Sequence, residues 1–563
     1  MRALLRLLES FAHDRRGNVV MTFAIVSIPL LTAVGAGIDY SMATRLKAKL
    51  QSAADSASIA AVSENSAGYI AATQMTTDGP VPAGVADAGK IFTGVMANIK
   101  STDYSSLTQV ATVTKTGANL KAVVTFTAQM PTTFMKIAGF SSMTVSGSST
   151  SSATLPLYLD FYLMLDVSGS MGLPSTAAEA VRMQQVNPDN YVQYPTGCTL
   201  ACHFAPQNSA CTDSGTQGYP TNNYCMGYAI SRVSQSGYQS LLINQSPSGQ
   251  YPWRNVNNGN KYQKLPTSVV TGAGSNSRGV TYQSMGNNGL PNSLTQPKSM
   301  GGGGLAAVTS CPTDGTDACI QLRLDAVGYA VNSLFALANQ KEQQTGISDQ
   351  FRIGLYPFIQ SLYSYFPLTS SINGSPTNSS TINYAATNLA SLLDTNMNSN
   401  LGSGGTHIDT ALTSMNSLIT SVGTGTSTNN TMPYVFLVTD GALDPQTKGV
   451  PNGGWAGSNH ATTIDGQGTI TPTQCTALKN RGIKVSVLYI PYVQINPVNA
   501  SFAGDEDDYA NNNIPYISNS LSNCASPPDG AGSYFYTANT PQDIQSSLAA
   551  MFNHAVMTAH ITN

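Results

Sequence analysis

The chain begins with a long apolar segment that leads into a helical pattern. Residues 18–38 (NVVMTFAIVSIPLLTAVGAGI) carry no charge, and about 20 such residues in a helix cross the roughly 30 Å hydrocarbon core of a bilayer. Beyond them Leu46, Leu50, Ala53 and Ala57 recur at helical spacing. The pattern predicts a membrane-spanning helix that continues past the bilayer. A removed signal peptide is the alternative, although its apolar region usually has only about 7–15 residues.

The next segment alternates between apolar and polar positions. Residues 107–145 contain the stretches VATVT and LKAVVTFTA, joined by Lys115-Thr-Gly-Ala-Asn119. This alternation predicts a β-hairpin. The serine-rich run at residues 146–154 predicts a linker. We therefore expect residues 39–154 to form a helix, a hairpin and a linker, making a small α+β unit near the membrane.

From residue 155 onward, short apolar runs alternate with stretches at helical spacing. Strands are predicted at Leu157–Leu165, Phe351–Phe358, Tyr434–Val438 and Lys484–Ile490, and helices at 322–338, at 407–419 and from Thr540 to about Val556. This alternation predicts an α/β fold with a doubly wound, mainly parallel, Rossmann-like sheet. A long insertion rich in Gly, Asn and Ser interrupts it at about 172–320.

Composition narrows the class of protein. The chain has 563 residues, long enough for two or three folded units. Its formal net charge is -3 and charged residues make up 10%. There is no long basic run, so we exclude nucleic acid as a partner.

The eight cysteines all follow the predicted membrane span. They are Cys198, Cys202, Cys211, Cys225, Cys311, Cys319, Cys475 and Cys524. An even number in one region favours disulfides, which persist in oxidising compartments. Two alternatives are a zinc site and a haem attachment, although Cys198-Thr-Leu-Ala-Cys202-His203 is one residue too long for the haem motif. Two observations favour a cytoplasmic N-terminus. Disulfides would place the cysteines after the span on the oxidising side, and four basic residues precede the span, namely Arg2, Arg6, Arg15 and Arg16.

The N-terminal region resembles the TadE/TadG-like proteins of Flp (Tad) pilus assembly. The resemblance is carried by Arg16-Gly17-Asn18, the apolar span with Gly37 and Asp39, Arg45, and Leu50-Gln-Ser-Ala-Ala-Asp-Ser-Ala57. Processed pilins have Glu five residues after the cleavage glycine, whereas Thr22 stands at that distance from Gly17. We therefore expect the anchor to be retained, as in TadG-like proteins.

A candidate metal site follows the first strand predicted after residue 155. The motif Asp166-Val-Ser168-Gly-Ser170 places a carboxylate and two hydroxyls on a turn at the strand's carboxyl end, where α/β sheets bind ligands. Such oxygens suit hard cations. The motif resembles the metal-ion-dependent adhesion site of von Willebrand factor A domains. Thr406, after two glycines, and Asp440, after a buried strand, match that family's later ligands in order.

The resemblance implies how this site works. The metal would be held by Asp166, Ser168, Ser170 and Thr406, directly or through water, with Asp440 acting through water. One coordination position would accept a partner's carboxylate. The ligand types favour Mg²⁺, with Mn²⁺ and Ca²⁺ as alternatives.

The two resemblances together predict a binding protein. Residues 1–17 would be cytoplasmic, 18–38 would form a single pass through the bacterial inner membrane, and 155–563 would form the A-type domain in the periplasm or at the cell surface. Its partners would be proteins of the pilus machinery or the envelope. An adhesin is the alternative, and an enzyme or haem protein using the insertion is a third. No catalytic motif surrounds Ser168 or Ser170, so we predict no enzymatic activity.

Overall fold

The computed structural model describes two compact units. One unit ends at Pro156 and the other begins at Leu157. The predicted cytoplasmic segment up to residue 16 and most of the predicted insertion, including Cys198 to His203, lie outside the described residues. The described residues are 17–97, 101–180, 274–275, 281–282, 311, 321–394, 398–450, 454–458, 460–465, 472–494 and 506–561.

The first unit is built on one long helix, α1 (Gly17–Val62), of 46 residues. Its N-terminal part is long and apolar enough to cross a membrane. The helix continues without interruption into the alanine-rich segment, as predicted. Shorter elements follow it: α2 (Ala67–Gln74), β1 (Gly79–Pro80), α3 (Pro82–Met96), β2 (Ser106–Thr116), β3 (Asn119–Pro131) and β4 (Ser142–Thr154).

These strands form an antiparallel sheet in the order β1-β2-β3-β4. The predicted hairpin is β2 and β3, which turn at Gly117 and Ala118. The sheet buries alternate residues of β3 against α1 and α3, among them Leu120, Val124 and Phe126. This alternation is what a sheet with one covered face requires.

The predicted linker at residues 146–154 is wrong, because these residues belong to β4. This strand pairs with β3 along its whole length, from Asn119↔Thr154 to Pro131↔Ser142. Its small side chains let α1 approach closely, and Ser58 Oγ of the helix lies 3.0 Å from Ser149 Oγ and 2.8 Å from Ser151 Oγ. Serine therefore serves here as a small residue under a packed helix.

A buried carboxylate fixes the connection between β3 and β4 to the long helix. Asp39, fully buried on α1, accepts hydrogen bonds from the backbone N–H groups of Thr133 (2.9 Å), Phe134 (2.9 Å) and Met135 (2.7 Å). Charge-assisted bonds to several amides offset the cost of burying a carboxylate.

The second unit contains the doubly wound sheet, and the predicted fold class is confirmed. Its strand order is β14-β13-β10-β5-β8-β9, parallel except at the edge, where β9 is antiparallel to β8. Every residue of the central strand β5 is buried, so both faces of the sheet are covered. The strands of this sheet are β5 (Leu159–Asp166), β8 (Phe351–Phe358), β9 (Phe366–Thr369), β10 (Met432–Thr439), β13 (Lys484–Tyr489) and β14 (Phe535–Thr537). Two further pairs of two-residue strands lie outside it: β6 (Gly274–Ser275) pairs with β7 (Thr281–Tyr282), and β11 (Thr447–Lys448) pairs with β12 (Trp455–Ala456).

Helices cover this sheet. They are α4 (Arg323–Thr345), α5 (Ile382–Thr387), α6 (Ile408–Leu418), α7 (Thr473–Asn480), α8 (Glu506–Cys524) and α9 (Pro541–Ile561). A disulfide joins Cys475 of α7 to Cys524 at the end of α8. Thr540 and Asp543 cap α9 as predicted, with Thr540 Oγ1 accepting from Asp543 N at 3.1 Å and Asp543 Oδ2 accepting from Thr540 N at 3.1 Å.

The Asp39 contacts generate a stability prediction for the first unit. Replacing Asp39 with Ala leaves three backbone N–H groups without their acceptor, and we expect a loss on the order of 3 kcal/mol in the free energy of unfolding. Pulse proteolysis of the full-length chain in detergent, across a urea series, measures it. The control is Asp103→Ala, whose exposed carboxylate lies 3.8 Å from Lys49 Nζ and should contribute at most about 1 kcal/mol. Equal losses in both variants would contradict the structural role of Asp39.

Candidate metal centre

The candidate site lies where the winding of the sheet reverses. From β5 the chain builds outward through β8 and β9 on one side, then returns to build β10, β13 and β14 on the other. Asp166 is the last residue of β5, and Asp440 directly follows β10. The two strands are parallel neighbours, with Val438 paired to Leu165. Both carboxylates therefore stand at the carboxyl edge beside the crevice in which doubly wound sheets bind ligands.

Asp166 organises the first loop of the site. Its Oδ1 accepts a hydrogen bond from Ser168 N (2.9 Å), and its Oδ2 accepts one from Thr439 Oγ1 (2.7 Å). The first bond folds the motif into a tight turn that brings the Ser168 and Ser170 hydroxyl oxygens to 3.2 Å. The second bond ties this loop to the end of β10. Asp166, Ser168 and Ser170 are all buried.

Asp440 is a buried carboxylate whose charge is only partly compensated, by the nearby Ser170 hydroxyl and the positive charge of Arg323, which both act to lower its pKa. In the part of the chain that the structure describes, neither of its carboxylate oxygens has a hydrogen-bond partner. Burial, and next the negative charge of Asp166, raise the pKa of Asp440 to about 7. Burial also raises the pKa of Asp166, against the hydrogen bonds from Ser168 and Thr439. Two buried carboxylates that interact in this way need a positive charge to remain ionised.

Thr406 lies on a loop fixed to the same edge of the sheet. Its backbone exchanges two hydrogen bonds with Asp444, four residues after Asp440: Thr406 N to Asp444 O at 2.9 Å and Asp444 N to Thr406 O at 3.1 Å. His407 N donates to Ile359 O at 2.9 Å, directly after β8. Gly405 precedes Thr406 with φ +68°, and a Cβ there would overlap the carbonyl oxygen of Asp444. The close approach therefore requires glycine.

Asp394, which the sequence did not single out, joins the first loop to the Thr406 loop. Its backbone N donates to Val167 O at 3.0 Å. Its carboxylate accepts from Ser403 Oγ at 2.7 Å and from Gly404 N at 2.8 Å. This buried residue therefore positions both loops. A single Asp at the end of an apolar run gives no motif, so only the fold identifies it.

A second residue that the sequence missed is Arg323, at the start of α4. Its guanidinium is buried, and within the described residues its Nη1 has no hydrogen-bond partner. Burial lowers the pKa of Arg323, while the charge of Asp440 opposes that shift. Its backbone N donates to Leu173 O at 2.8 Å, just beyond Ser170. Arg323 thus supplies a fixed positive charge beside the carboxylates.

The site's chemistry fits a small, hard divalent cation. It offers two carboxylates and the hydroxyls of Ser168 and Ser170, all oxygen donors, and Thr406 lies on a loop bonded to the same edge. The unpaired oxygens of Asp440 are the feature that most needs a cation. Among described residues no three His, Cys, Asp or Glu side chains gather, as expected for a site built largely from hydroxyls. The structure holds Asp166, Ser168 and Ser170 in one loop and joins Asp440 and Thr406 to it; the ligand set itself stays a prediction.

The N-terminal resemblance is confirmed by comparison with known families. Residues 17–64 match the family described as putative Flp pilus-assembly TadE/G-like. The match covers the long helix, a small part of the chain. No curated protein matches the sequence.

Solved structures similar to this chain include pilus and matrix proteins. The pilus adhesin SpaC from Lactobacillus rhamnosus GG, in its open conformation, has 15% identity and TM-score 0.23, over 42% of this chain and 28% of that one. The von Willebrand factor domain of the pili tip protein Mfa5 from Porphyromonas gingivalis has 13% identity and TM-score 0.23, over 43% and 89%. Proximal thread matrix protein 1 from the mussel byssus, with a zinc-occupied adhesion-site motif, has 17% identity and TM-score 0.19, over 41% and 45%.

The raised pKa of Asp440 predicts how the metal-free protein responds to pH. The folded state keeps a proton on Asp440 up to about pH 7, whereas the unfolded chain releases it near pH 4. Folding stability in chelator should therefore fall as pH rises from about 4 to 7 and then level off. Thermal unfolding across that pH range, with and without Mg²⁺, measures the effect. In Asp440→Asn this part of the pH dependence should disappear; its persistence would contradict the assignment.

Arg323 gives a separate prediction about ion affinity. A fixed positive charge repels a bound divalent cation, so Arg323→Gln should tighten Mg²⁺ binding by at least about fivefold, equivalent to about 1 kcal/mol. Isothermal titration of the full-length protein in detergent measures it. Lys341→Gln, on the same helix, is the matched control and should leave the affinity unchanged. Weaker binding in Arg323→Gln would show that Arg323 supports the ion instead of opposing it.

Proposed function

We propose that this chain is a membrane-anchored component of Tad/Flp pilus assembly whose second unit binds a protein partner through a divalent metal ion. The observation that carries the proposal is the buried Asp440 beside the equally buried Asp166: no described residue forms a hydrogen bond with either of its carboxylate oxygens. The pair is buried at the edge where doubly wound sheets bind ligands. A cation bound there would stabilise both carboxylates in their ionised form.

Asp166, Ser168, Ser170 and Thr406 would hold the ion directly or through water, with Asp440 acting through water. We favour Mg²⁺ because all these donors are hard oxygens, with Mn²⁺ and Ca²⁺ as alternatives. When bound, the ion supplies a Lewis-acidic position for a carboxylate of the partner.

Charge explains why the partner's group should be anionic. With both carboxylates ionised, Asp166 and Asp440 carry two negative charges and Arg323 carries one positive charge. A divalent ion makes the same site net positive by one charge. In a buried environment an excess charge is costly, and an incoming carboxylate neutralises it. The neutral hydroxyls of Ser168, Ser170 and Thr406 leave that excess in place.

The location follows from the first unit and from the disulfide. The long apolar part of α1 supports a single pass through the inner membrane, and its family match supports a role in pilus assembly. The Cys475–Cys524 disulfide supports an oxidising compartment for the second unit. We therefore propose that the second unit faces the periplasm and engages proteins of the pilus machinery or the envelope.

The test is a crosslinking pull-down from membranes with the wild-type protein, Asp166→Ala and the control Asp508→Asn. Asp508 is a partly exposed carboxylate on α8, outside the proposed ligand set. We expect wild type and Asp508→Asn to capture the same partner in Mg²⁺ and to lose it in chelator. Asp166→Ala should give at least about tenfold less signal than wild type in Mg²⁺ and change no further in chelator. Identical capture under all conditions would refute metal-dependent recognition.

A further inference from the structure

The connection between β3 and β4, residues 132–141, lies beside the apolar part of α1. Gly35 of the helix is in such close contact with Phe134 that a Cβ at Gly35 would overlap the phenylalanine side chain. Asp39, one turn further along, holds the backbone of residues 133–135. Because a helix rises 1.5 Å per residue, Gly35 lies about 4–5 Å inside the end of the apolar segment at Ile38. Phe134 therefore lies at the depth of the apolar segment.

This connection exposes large apolar side chains next to an exposed apolar helix. Phe134, Ile137 and Phe140 are 38%, 76% and 60% exposed. On α1 the residues around Gly35 that are also exposed include Leu31 and Val34. Leaving this surface in water is unfavourable by about 25 cal/mol per Å². The two elements together make one apolar surface that continues the predicted membrane span.

Hydrogen bonds hold the connection in shape. Thr132 N donates to Ser141 O at 3.1 Å, and the Thr132 hydroxyl donates to Phe140 O, so the two ends of the connection are joined. A short 3-10 turn, Met135–Ala138, ends at Gly139 in the left-handed region. With the three bonds to Asp39, the apolar side chains are presented on a preformed turn.

A basic cavity lies just above this apolar surface. It has a volume of about 290 Å³ and is lined by Arg45, Lys49 and Lys136, with Asp103 as its acidic residue. Lys49 Nζ lies 3.8 Å from Asp103, whereas Arg45 and Lys136 form no ion pair with any described residue. Arg45 is seven residues beyond Ile38, or about 10 Å along the helix. The headgroup layer is about 5–8 Å thick on each side, so the Arg45 Cα lies just outside it and the long side chain can extend back to it.

We propose that this face of the first unit binds the bilayer surface, with residues 132–141 inserted among the lipids and the basic cavity holding the phosphate of an anionic phospholipid. The apolar surface continues directly from the span, and the positive cavity lies at the outer side of the headgroup layer, where its long basic side chains reach the phosphates. Aromatic side chains below and basic side chains above are the arrangement that suits an interface with anionic lipids. The inference rests on the proposed membrane anchoring of α1.

Insertion depth is measured with the full-length protein in nanodiscs. Phe140→Trp should be quenched by lipids brominated on their acyl chains, beyond the background of the native tryptophans Trp253 and Trp455. Asn119→Trp, at the exposed opposite end of β3, is the matched control and should show background quenching. Equal quenching of both variants would refute insertion of residues 132–141.

Headgroup binding is measured by native mass spectrometry of the full-length protein in detergent, titrated with phosphatidylglycerol or phosphatidylcholine. Phosphatidylglycerol should bind more tightly, and Arg45→Gln with Lys136→Gln should weaken it by about 30-fold, since each basic residue near a membrane contributes about fivefold. Lys121→Gln, an exposed lysine of the same sheet, should leave binding unchanged. Equal binding of both lipids, or equally effective binding of inorganic phosphate alone, would overturn the cavity assignment.

Co-flotation with liposomes separates this inference from the anchoring on which it rests. If the protein floats but Phe140→Trp is quenched only to background, residues 132–141 do not insert and the anchor stands. If the protein does not float, the anchoring itself is wrong, and this inference fails with it.

Discussion

The second unit depends on a constraint that parallel strands impose on two carboxylates. Because β5 and β10 are adjacent and parallel, Asp166 and Asp440 emerge at one edge of the sheet, and the Thr439 hydroxyl locks one strand end to the other. Burial keeps water from screening them. Two further residues surround this pair. Asp394 fixes the two loops that carry the hydroxyls, and Arg323 places a positive charge near Asp440 without forming a hydrogen bond to it.

Comparison with Asp39 makes this feature more informative. Asp39 and Asp440 are both fully buried, yet Asp39 accepts three backbone hydrogen bonds while the oxygens of Asp440 have none within the described residues. The Asp39 carboxylate is fully compensated by these three bonds, so its role is structural. Asp440 lacks such donors, which is why we propose it as a binding residue. The same side chain at the same burial thus has two roles, distinguished by its hydrogen-bond partners.

Sequence patterns predicted what is periodic or contiguous. The strand at residues 351–358 was predicted with its observed bounds, since its alternating pattern indicates a strand. Asp166, Ser168 and Ser170 stand together in one motif, so the sequence alone singles them out as candidates.

Asp394 and Arg323 act through neighbours distant in sequence, so no local pattern marks them. Residues 146–154 resemble a linker because serine-rich runs are typical of flexible linkers. Only the packing of α1 against β4 explains why small residues occur there. The asparagine-rich helix α8 was missed for a similar reason, since its polar residues weaken the helical pattern.

Charge at the site also implies a balance between holding the ion and attracting a partner. If a hydroxyl ligand such as Ser168 were a carboxylate, the ion would be held more tightly, but the loaded site would be neutral and would attract an external carboxylate less. Arg323 acts in the opposite direction, because it lowers the affinity for the ion and raises the positive charge of the loaded site. In the proposed site, two carboxylates, neutral hydroxyls and Arg323 would therefore favour an ion that exchanges and a partner that depends on it. Such a site suits reversible assembly better than permanent structural metal binding, in which protein ligands fill every position.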